Sequence, residues 1–282
     1  MSNIPKEVVI IEAVRTPIGT YKGSLKNIKA YQLGSVVIKE VLKRADLACE
    51  EVDEIIIGQV LTAGMGQNPA RQAALEAGIP VSKPSHIVNQ VCGSGLRAVI
   101  SGLQSIKLGE SSKVITGGQE SMSITPNLIF NKNLKKNLEN ELVDTMVYDG
   151  LLDAFNNYHL GVTAENVAKQ FDISREQQDE FALDSQKKTQ DAIINGRFKN
   201  ELIEIDLNGN SLKKDEHPRN NLTLTDLQKL KTVFMENGTV TPGNSSGIND
   251  GAAALLLTSL DYADKKSIEP LAKIVSWASV GV

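Results

Sequence analysis

Cys92 is the residue of this sequence whose type and setting best suit nucleophilic chemistry. A short apolar stretch, residues 86–88, precedes it and an amphipathic stretch ending at Gly109 follows it. This order predicts a thiol at a strand-to-helix turn, on the first turn of the helix. Free N–H groups and the positive end of a helix dipole favour the thiolate there, which is the form that attacks. Gly93 and Gly95 remove bulk beside the sulfur, so that a large acyl substrate can approach it.

The competing interpretation of Cys92 is a small buried thiol packed at a turn, since free cysteines are usually buried. The other cysteine, Cys49, has two acidic neighbours, which disfavour a thiolate, and we expect no role for it. Two cysteines make no disulfide framework and favour a reducing, cytoplasmic location. The three histidines lack metal-ligand spacing, so we expect no metal site.

Composition narrows the class of protein. The 282 residues are 41% hydrophobic and 23% charged, with a formal net charge of −4. These values are typical of a globular protein with a sizeable core, and they argue against a nucleic-acid partner. The N-terminus has no signal-peptide pattern, and the apolar stretches are shorter than a membrane span requires.

Alternating strands and helices are predicted for the first part of the chain. Short apolar runs separated by amphipathic stretches indicate an α/β fold with a covered, largely parallel sheet. The predicted strands are residues 8–11, 55–57, 86–88 and 114–116, and the predicted helices are residues 31–44, a helix opened by Pro69, and the helix after Cys92.

A more polar segment follows and reads as an insertion. Residues 131–140 are rich in lysine and asparagine and are predicted to form a surface excursion. Ser174 and Gln177 predict a capping box that starts a long helix, and residues 208–209 predict a hairpin turn. After a loop rich in glycine and serine, residues 252–257 form an apolar run that fits one strand or the start of a helix, and residues 271–275 predict a last strand.

Six segments, spread in order along the chain, resemble the thiolase family, and within it the biosynthetic acetyl-CoA C-acetyltransferases. They are residues 13–19 (AVRTPIG), 89–95 (NQVCGSG), 117–123 (GGQESMS), 161–168 (GVTAENVA), 243–254 (GNSSGINDGAAA) and 274–278 (IVSWA).

The resemblance implies a thiolase-like fold with a characteristic division of the chain. Residues 1–121 and 244–269 are expected to form the N-terminal domain, residues 122–243 an inserted loop subdomain that binds CoA, and residues 270–282 the start of a C-terminal domain. Family members continue into a second domain, which holds Asn-Glu-Ala-Phe and Gly-His-Pro segments and a second catalytic cysteine. None of these segments occurs here, so we expect that most of this domain is absent and that activity is impaired.

The resemblance also implies a reaction. Cys92 is expected to accept an acetyl group from acetyl-CoA and pass it to a second acetyl-CoA, which gives acetoacetyl-CoA and CoA reversibly. No cofactor is implied, because the CoA thioester is the substrate. Two alternatives stay open, namely a longer-chain 3-ketoacyl-CoA thiolase and a non-catalytic thiolase remnant that binds CoA or a partner.

Five further residues are assigned to CoA or substrate by the resemblance alone. They are Leu151, His159, Leu160, Arg219 and Ser246. Without the family, Leu151 reads as core, His159 as an ordinary structural histidine, Arg219 as a solvated loop residue and Ser246 as part of a turn. The guanidinium of Arg219 suits the adenine and phosphate end of CoA. The family further implies a homo-oligomer.

Overall fold

A seven-stranded mixed sheet forms the centre of the molecule. The computed structural model describes residues 7–130, 142–207 and 209–281. The strands are β1 (Val8–Arg15), β2 (Gly19–Thr20), β3 (Glu54–Gly58), β4 (Ser85–Val88), β5 (Lys113–Ser121), β6 (Asn127–Leu128), β7 (Val143–Asp144), β8 (Ile205–Leu207), β9 (Asn210–Leu212), β10 (Asn249–Ser259) and β11 (Ala272–Lys273). The order in the main sheet is β11-β1-β10-β5-β3-β4, with β2 paired to β10, while β6–β7 and β8–β9 form two small sheets.

The helices are α1 (Ala30–Arg44), α2 (Pro69–Glu76), α3 (Ser94–Leu108), α4 (Leu160–Gln170), α5 (Arg175–Ile194), α6 (Leu224–Gln228) and α7 (Leu260–Lys265). Helices α1 and α2 cover one face of the main sheet, and α3 covers the other. Successive residues of β3 show the two faces: Ile55 and Ile57 pack in the core beneath α1 and α2, and Ile56 packs in the core beneath α3. The predicted covered sheet and the α/β class are therefore confirmed.

The prediction of a largely parallel sheet is wrong. Among the paired strands of the described residues, only β5–β3 and β3–β4 are parallel. Strand β10 enters the sheet between β1 and β5 and runs antiparallel to both, and β11 is antiparallel to β1. The cause is the long segment between β5 and β10, because the chain returns from it through a strand whose direction local apolar runs cannot reveal. The apolar run at residues 252–257 is strand, not helix.

Most predicted elements are confirmed, with shifts at their ends. The helix predicted for residues 31–44 is α1, and α5 begins after Ser174, whose hydroxyl accepts the Gln177 N–H in a capping box. The predicted hairpin is β8–β9, with residue 208 outside the described residues. The last strand is shorter than predicted, because only Ala272–Lys273 pairs with β1. The surface excursion predicted for residues 131–140 also lies outside the described residues.

The division into an N-terminal domain, an insertion and a returning segment stays a prediction. The position of β10 in the main sheet agrees with a return of the chain after residue 243. Across the described ranges, no helix combines the length and apolar character that a membrane crossing requires.

Candidate active site around Cys92

Cys92 is exposed on the turn between β4 and α3. The expectation that it lies on the first helical turn is corrected, because α3 begins at Ser94 with Gly93 as its N-cap. The shift arises at Val91, whose φ of 48° lies in the left-handed region and turns the chain before the helix starts. A β-branched residue rarely adopts this conformation, so the turn is strained and the structure around it must hold it.

Hydrogen bonds within the turn provide that support. Gly93 N–H donates to the Gln90 carbonyl at 3.0 Å, and Ser94 N–H donates to the Val91 carbonyl at 3.0 Å. The Ser94 hydroxyl accepts the Gln90 N–H at 2.9 Å and donates to the Val91 carbonyl at 2.5 Å. The N–H groups of Gly93 and Ser94 are therefore both hydrogen-bonded within the turn, which fixes the position of the thiol.

A close backbone approach brings β3 against the same turn. A Cβ atom at Gly58 would lie 2.4 Å from the Ser94 carbonyl carbon, so only glycine fits at the end of β3. By contrast, a Cβ atom at Gly95 would meet nothing within 4 Å. Gly95 thus borders open space, as predicted. The same prediction is wrong for Gly93, because a Cβ atom there would lie 3.2 Å from the Gln90 carbonyl oxygen within the turn.

That space is a cavity of about 360 Å³ next to the thiol. Apolar side chains and glycine backbone form most of its lining, and Cys92 and Glu120 are the ionisable groups among the described lining residues. A largely apolar cavity that opens beside an accessible thiol suits a small acyl group bound to the sulfur.

Two of the five predicted substrate residues, Leu151 and Ser246, line the cavity together with Cys92. Leu151 ends a single turn of π-helix, Met146–Leu151. Ser246 is exposed, and its hydroxyl donates to the Gly247 carbonyl at 3.2 Å. The turn at Cys92, the π-helical turn that ends at Leu151 and the loop before β10 thus all border this cavity.

His159, Leu160 and Arg219 do not line this cavity. His159 caps α4, since its Nδ1 accepts the Gly161 N–H at 3.0 Å, and its ring stacks on Phe234 with 4.7 Å between ring centroids. Leu160 faces a separate groove along α4. Arg219 is exposed beside α5, where its N–H donates to the Gln186 side chain at 2.9 Å. Their roles toward CoA stay predictions.

The loop that carries Ser246 is held by two buried carboxylates of α4 and α5. Glu165 of α4 accepts the N–H groups of Thr239 and Val240 at 2.8–2.9 Å. Asp179 of α5 accepts the Asn244 side-chain amide at 2.9 Å. Burial opposes the ionisation of Glu165, but these donors outweigh it and hold the pKa of its carboxyl below the usual value.

Glu120 is a residue of the cavity that the sequence did not single out as a site. Its Oε2 accepts the Val60 N–H at 2.9 Å and the Leu61 N–H at 3.3 Å. Burial raises the pKa of its carboxyl to about 7, and the charge of Asp250 adds to the effect. A carboxylate at the end of an otherwise uncharged, buried strand (residues 114–121) was the available signal.

Other candidate groups lie elsewhere. Within the described ranges, no histidine lines the cavity, and no cluster of histidine, cysteine and acidic residues could hold a metal ion. Cys49 is partly buried, with its Sγ 3.9 Å from the Ala77 carbonyl oxygen.

Comparison with known proteins gives a consistent match. The family model described as the thiolase N-terminal domain matches residues 8–261. An acetyl-CoA acetyltransferase of Shinella zoogloeoides is 48% identical over 278 residues, which cover 97% of this chain and 71% of that protein. One of Rhizobium meliloti is 48% identical over 100% of this chain and 72% of its own length. A cytosolic acetyl-CoA acetyltransferase of Rattus norvegicus is 47% identical, over 98% of this chain and 71% of its own length.

Proposed function

The chain belongs to the thiolase family, and from that premise we propose that it is an acetyl-CoA acetyltransferase that works through Cys92. The observation that carries the proposal is the exposed Cys92 thiol, which lies on a strained turn at the mouth of an apolar cavity. Relatives that bear the name acetyl-CoA acetyltransferase match nearly the whole chain.

The reaction begins with attack of the Cys92 thiolate on the carbonyl carbon of acetyl-CoA. The bond between that carbon and the CoA sulfur breaks, CoA leaves and takes up a proton, and the acetyl group stays on Cys92. A second acetyl-CoA then loses a methyl proton, and its carbanion attacks the acetyl carbonyl carbon. Acetoacetyl-CoA forms and Cys92 is released, and thiolysis is the same sequence in reverse.

The described site supports the acyl-accepting half of this reaction. The Cys92 N–H is our candidate donor for an oxyanion hole that would stabilise the acetyl oxygen. Bases must also take the thiol proton and the methyl proton, and none of the three histidines contributes to the cavity within the described residues. The chain spans 71–72% of the length of the relatives compared above.

The CoA moiety is expected to extend from the cavity over the insertion. Leu151 and Ser246 line the cavity, which supports their proposed contact with the pantetheine end. His159 and Leu160 follow at the start of α4, and Arg219 lies beside α5, where a guanidinium suits the phosphates and adenine. No cofactor is needed, because the thioester itself activates the acetyl group.

Further properties follow from the family in the same way. We propose a homo-oligomer in the cytoplasm, without a nucleic-acid or membrane partner. The name of the rat relative, which describes it as cytosolic, and the absence of a disulfide framework in the sequence support this location.

The decisive experiment uses the purified chain with acetyl-CoA and, separately, with acetoacetyl-CoA plus CoA. We expect one acetyl group on Cys92 by intact-mass spectrometry and slow cleavage of acetoacetyl-CoA, because the described cavity residues include no histidine base, and both should be lost in Cys92→Ser. Acetylation without turnover would limit the chain to acyl acceptance. No acetylation would contradict the proposal and favour a CoA-binding thiolase remnant, and faster cleavage of longer 3-ketoacyl-CoA would favour the longer-chain enzyme.

A further inference from the structure

We propose that Glu120 is a positioning residue for acyl transfer, which holds the backbone at Val60 and Leu61 as one wall of the Cys92 cavity. The inference rests on the proposed function for its consequence, but the contacts that carry it are independent of that function. They join three parts of the molecule, namely the end of β5, the loop after β3 and the insertion.

The first contact is direct. Glu120 lies near the end of β5, opposite Gly251 of β10, and its carboxyl faces the loop that follows β3. One carboxyl oxygen accepts both loop amides, from Val60 at 2.9 Å and from Leu61 at 3.3 Å. An ionised acceptor makes such bonds about twice as strong as a neutral one, so the charge of Glu120 affects how firmly the loop is held.

The preceding residue of β5 supports the same loop. The Gln119 side-chain amide donates to the Gln59 side chain at 2.8 Å, and the Gln59 amide donates to the Leu61 carbonyl at 2.9 Å. Both side chains are buried, with Gln119 2% and Gln59 1% exposed. Two consecutive residues of β5 therefore fix both the N–H and the carbonyl of Leu61.

Leu61 transmits this position to the substrate side of the cavity. Its side chain is 4% exposed and lies against Gly150, where a Cβ atom would be 3.3 Å from Leu61 Cδ2. Leu151, the next residue, lines the cavity with Cys92. A displaced Leu61 would therefore disturb the surface that faces the acyl group, and small displacements of reacting groups cost large factors in rate.

Glu120 is also able to change its charge at neutral pH. Burial raises the pKa of its carboxyl to about 7, and the carboxylate of Asp250 on β10 opposes its ionisation as well. Its other oxygen, Oε1, is buried and has no hydrogen-bond partner within the described part of the chain. The remaining ionisable group of the described lining is Cys92. The hydrogen bonds that the Val60 and Leu61 N–H groups donate to Glu120 should therefore strengthen as the pH rises through 7.

Hydrogen exchange of the Val60 and Leu61 amides tests whether Glu120 holds these amides in hydrogen bonds. In Glu120→Ala the exchange rate of these amides should rise tenfold or more at both pH 6 and pH 8. In Glu120→Gln, which keeps a neutral acceptor, the rate should match the unmodified chain at pH 6 and exceed it severalfold at pH 8. Comparison at one pH cancels the intrinsic pH dependence of exchange. Unchanged exchange in Glu120→Ala would overturn the proposal.

Acetylation of Cys92 by acetyl-CoA tests the consequence in the same variants. Glu120→Ala should be acetylated about tenfold more slowly, and Glu120→Gln should match the unmodified chain at pH 6 but be acetylated severalfold more slowly at pH 8. Glu54→Ala is the matched control, because Glu54 lies at the other end of β3 and binds the hydroxyls of Ser105 and Ser111 at 2.9 and 3.2 Å. It should leave the acetylation rate unchanged.

The exchange and acetylation experiments together show whether this inference or the proposed function is at fault. If the unmodified chain takes no acetyl group, the proposed function is wrong and Glu120 has no role in acyl transfer. Hydrogen exchange then still decides whether Glu120 fixes the backbone at Val60 and Leu61. If the unmodified chain is acetylated and Glu120→Ala is acetylated equally fast, the function stands and the positioning role is wrong. A loss of fold in Glu120→Ala leaves Glu120→Gln at pH 8 as the deciding variant.

Discussion

At the scale of single residues, the turn at Cys92 is held in a conformation that costs free energy. A left-handed φ at a β-branched residue such as Val91 costs on the order of 1–3 kcal/mol. The hydrogen bonds of Gln90 and Ser94 and the glycine contact from β3 offset this cost. In return, the thiol is exposed at the cavity with little freedom to move, which is what repeated attack on a bound thioester requires.

Glu120 makes the stability of the folded chain depend on pH in a definite direction. Its pKa is about 7 in the folded chain against 4.5 for an ordinary glutamate. Between these values the folded state binds a proton that the unfolded state releases, so this contribution is present at low pH and is lost as the pH rises through 7. Relative to the unmodified chain, Glu120→Gln should therefore gain roughly 2 to 3 kcal/mol of unfolding free energy between pH 5 and pH 8.

Urea denaturation of both chains across this range measures the effect. The comparison needs only the difference between the two unfolding free energies at each pH, because all other titrating groups are shared. Parallel stability curves from pH 5 to pH 8 would show that the Glu120 carboxyl is not desolvated as described.

At the scale of elements, helices α4 and α5 fix the loop before β10 on which Ser246 lies. Glu165 is 6% exposed and accepts four hydrogen bonds from Thr239 and Val240. We expect Glu165→Ala to lower the unfolding free energy by about 3 kcal/mol, because it leaves buried donors unpaired. The freed loop should also weaken CoA binding about tenfold, as measured by calorimetry, if Ser246 contacts CoA as proposed.

Glu180→Gln is the control for that variant. Glu180 lies on α5 next to Asp179 but is exposed, so its replacement should change neither stability nor CoA binding by more than a small amount. If Glu165→Ala lost stability but bound CoA unchanged, the loop would not be part of the CoA site.

The elements also show how far the sequence could predict the fold. Helix α1 and the capped start of α5 follow from local apolar spacing and from one serine–glutamine pair, so they could be predicted. The direction of β10 could not, because it depends on how the chain returns after more than a hundred residues of insertion. A short apolar run has the same pattern whether its neighbours are parallel or antiparallel.

The residues of the candidate site also differ in how far the sequence could predict them. Cys92 could be predicted from the strand, glycines and helix around it, and Leu151 and Ser246 only through the family. Glu120 could not be recognised as a wall-holding residue, because its partners Val60 and Leu61 are distant in sequence and donate backbone N–H groups that no side-chain pattern reports.

At the scale of the whole molecule, Arg15 ties the segment predicted to be an insertion to the central sheet. It ends β1, and its guanidinium binds Asp215 through two hydrogen bonds of 2.7 and 3.0 Å and Glu201 through one of 2.7 Å. The ring of Phe198 lies 5.2 Å from the guanidinium carbon. Asp215 accepts the Ile18 N–H at 2.8 Å as well, so one carboxylate joins the insertion to both the end of β1 and the residue before β2.

Asp215→Ala should therefore destabilise the molecule more than the loss of an ordinary surface ion pair. The Asp215 side chain is 9% exposed and that of Arg15 19%, so the change leaves a largely buried guanidinium and the Ile18 N–H without this partner. We expect the unfolding free energy in urea to fall by about 2–3 kcal/mol. Lys213→Ala removes an ion pair with Glu204 whose side chains are 66% and 52% exposed, and it should cost well under about 1 kcal/mol. Equal losses in the two variants would mean that the Arg15–Asp215 pair does not join the insertion to the sheet.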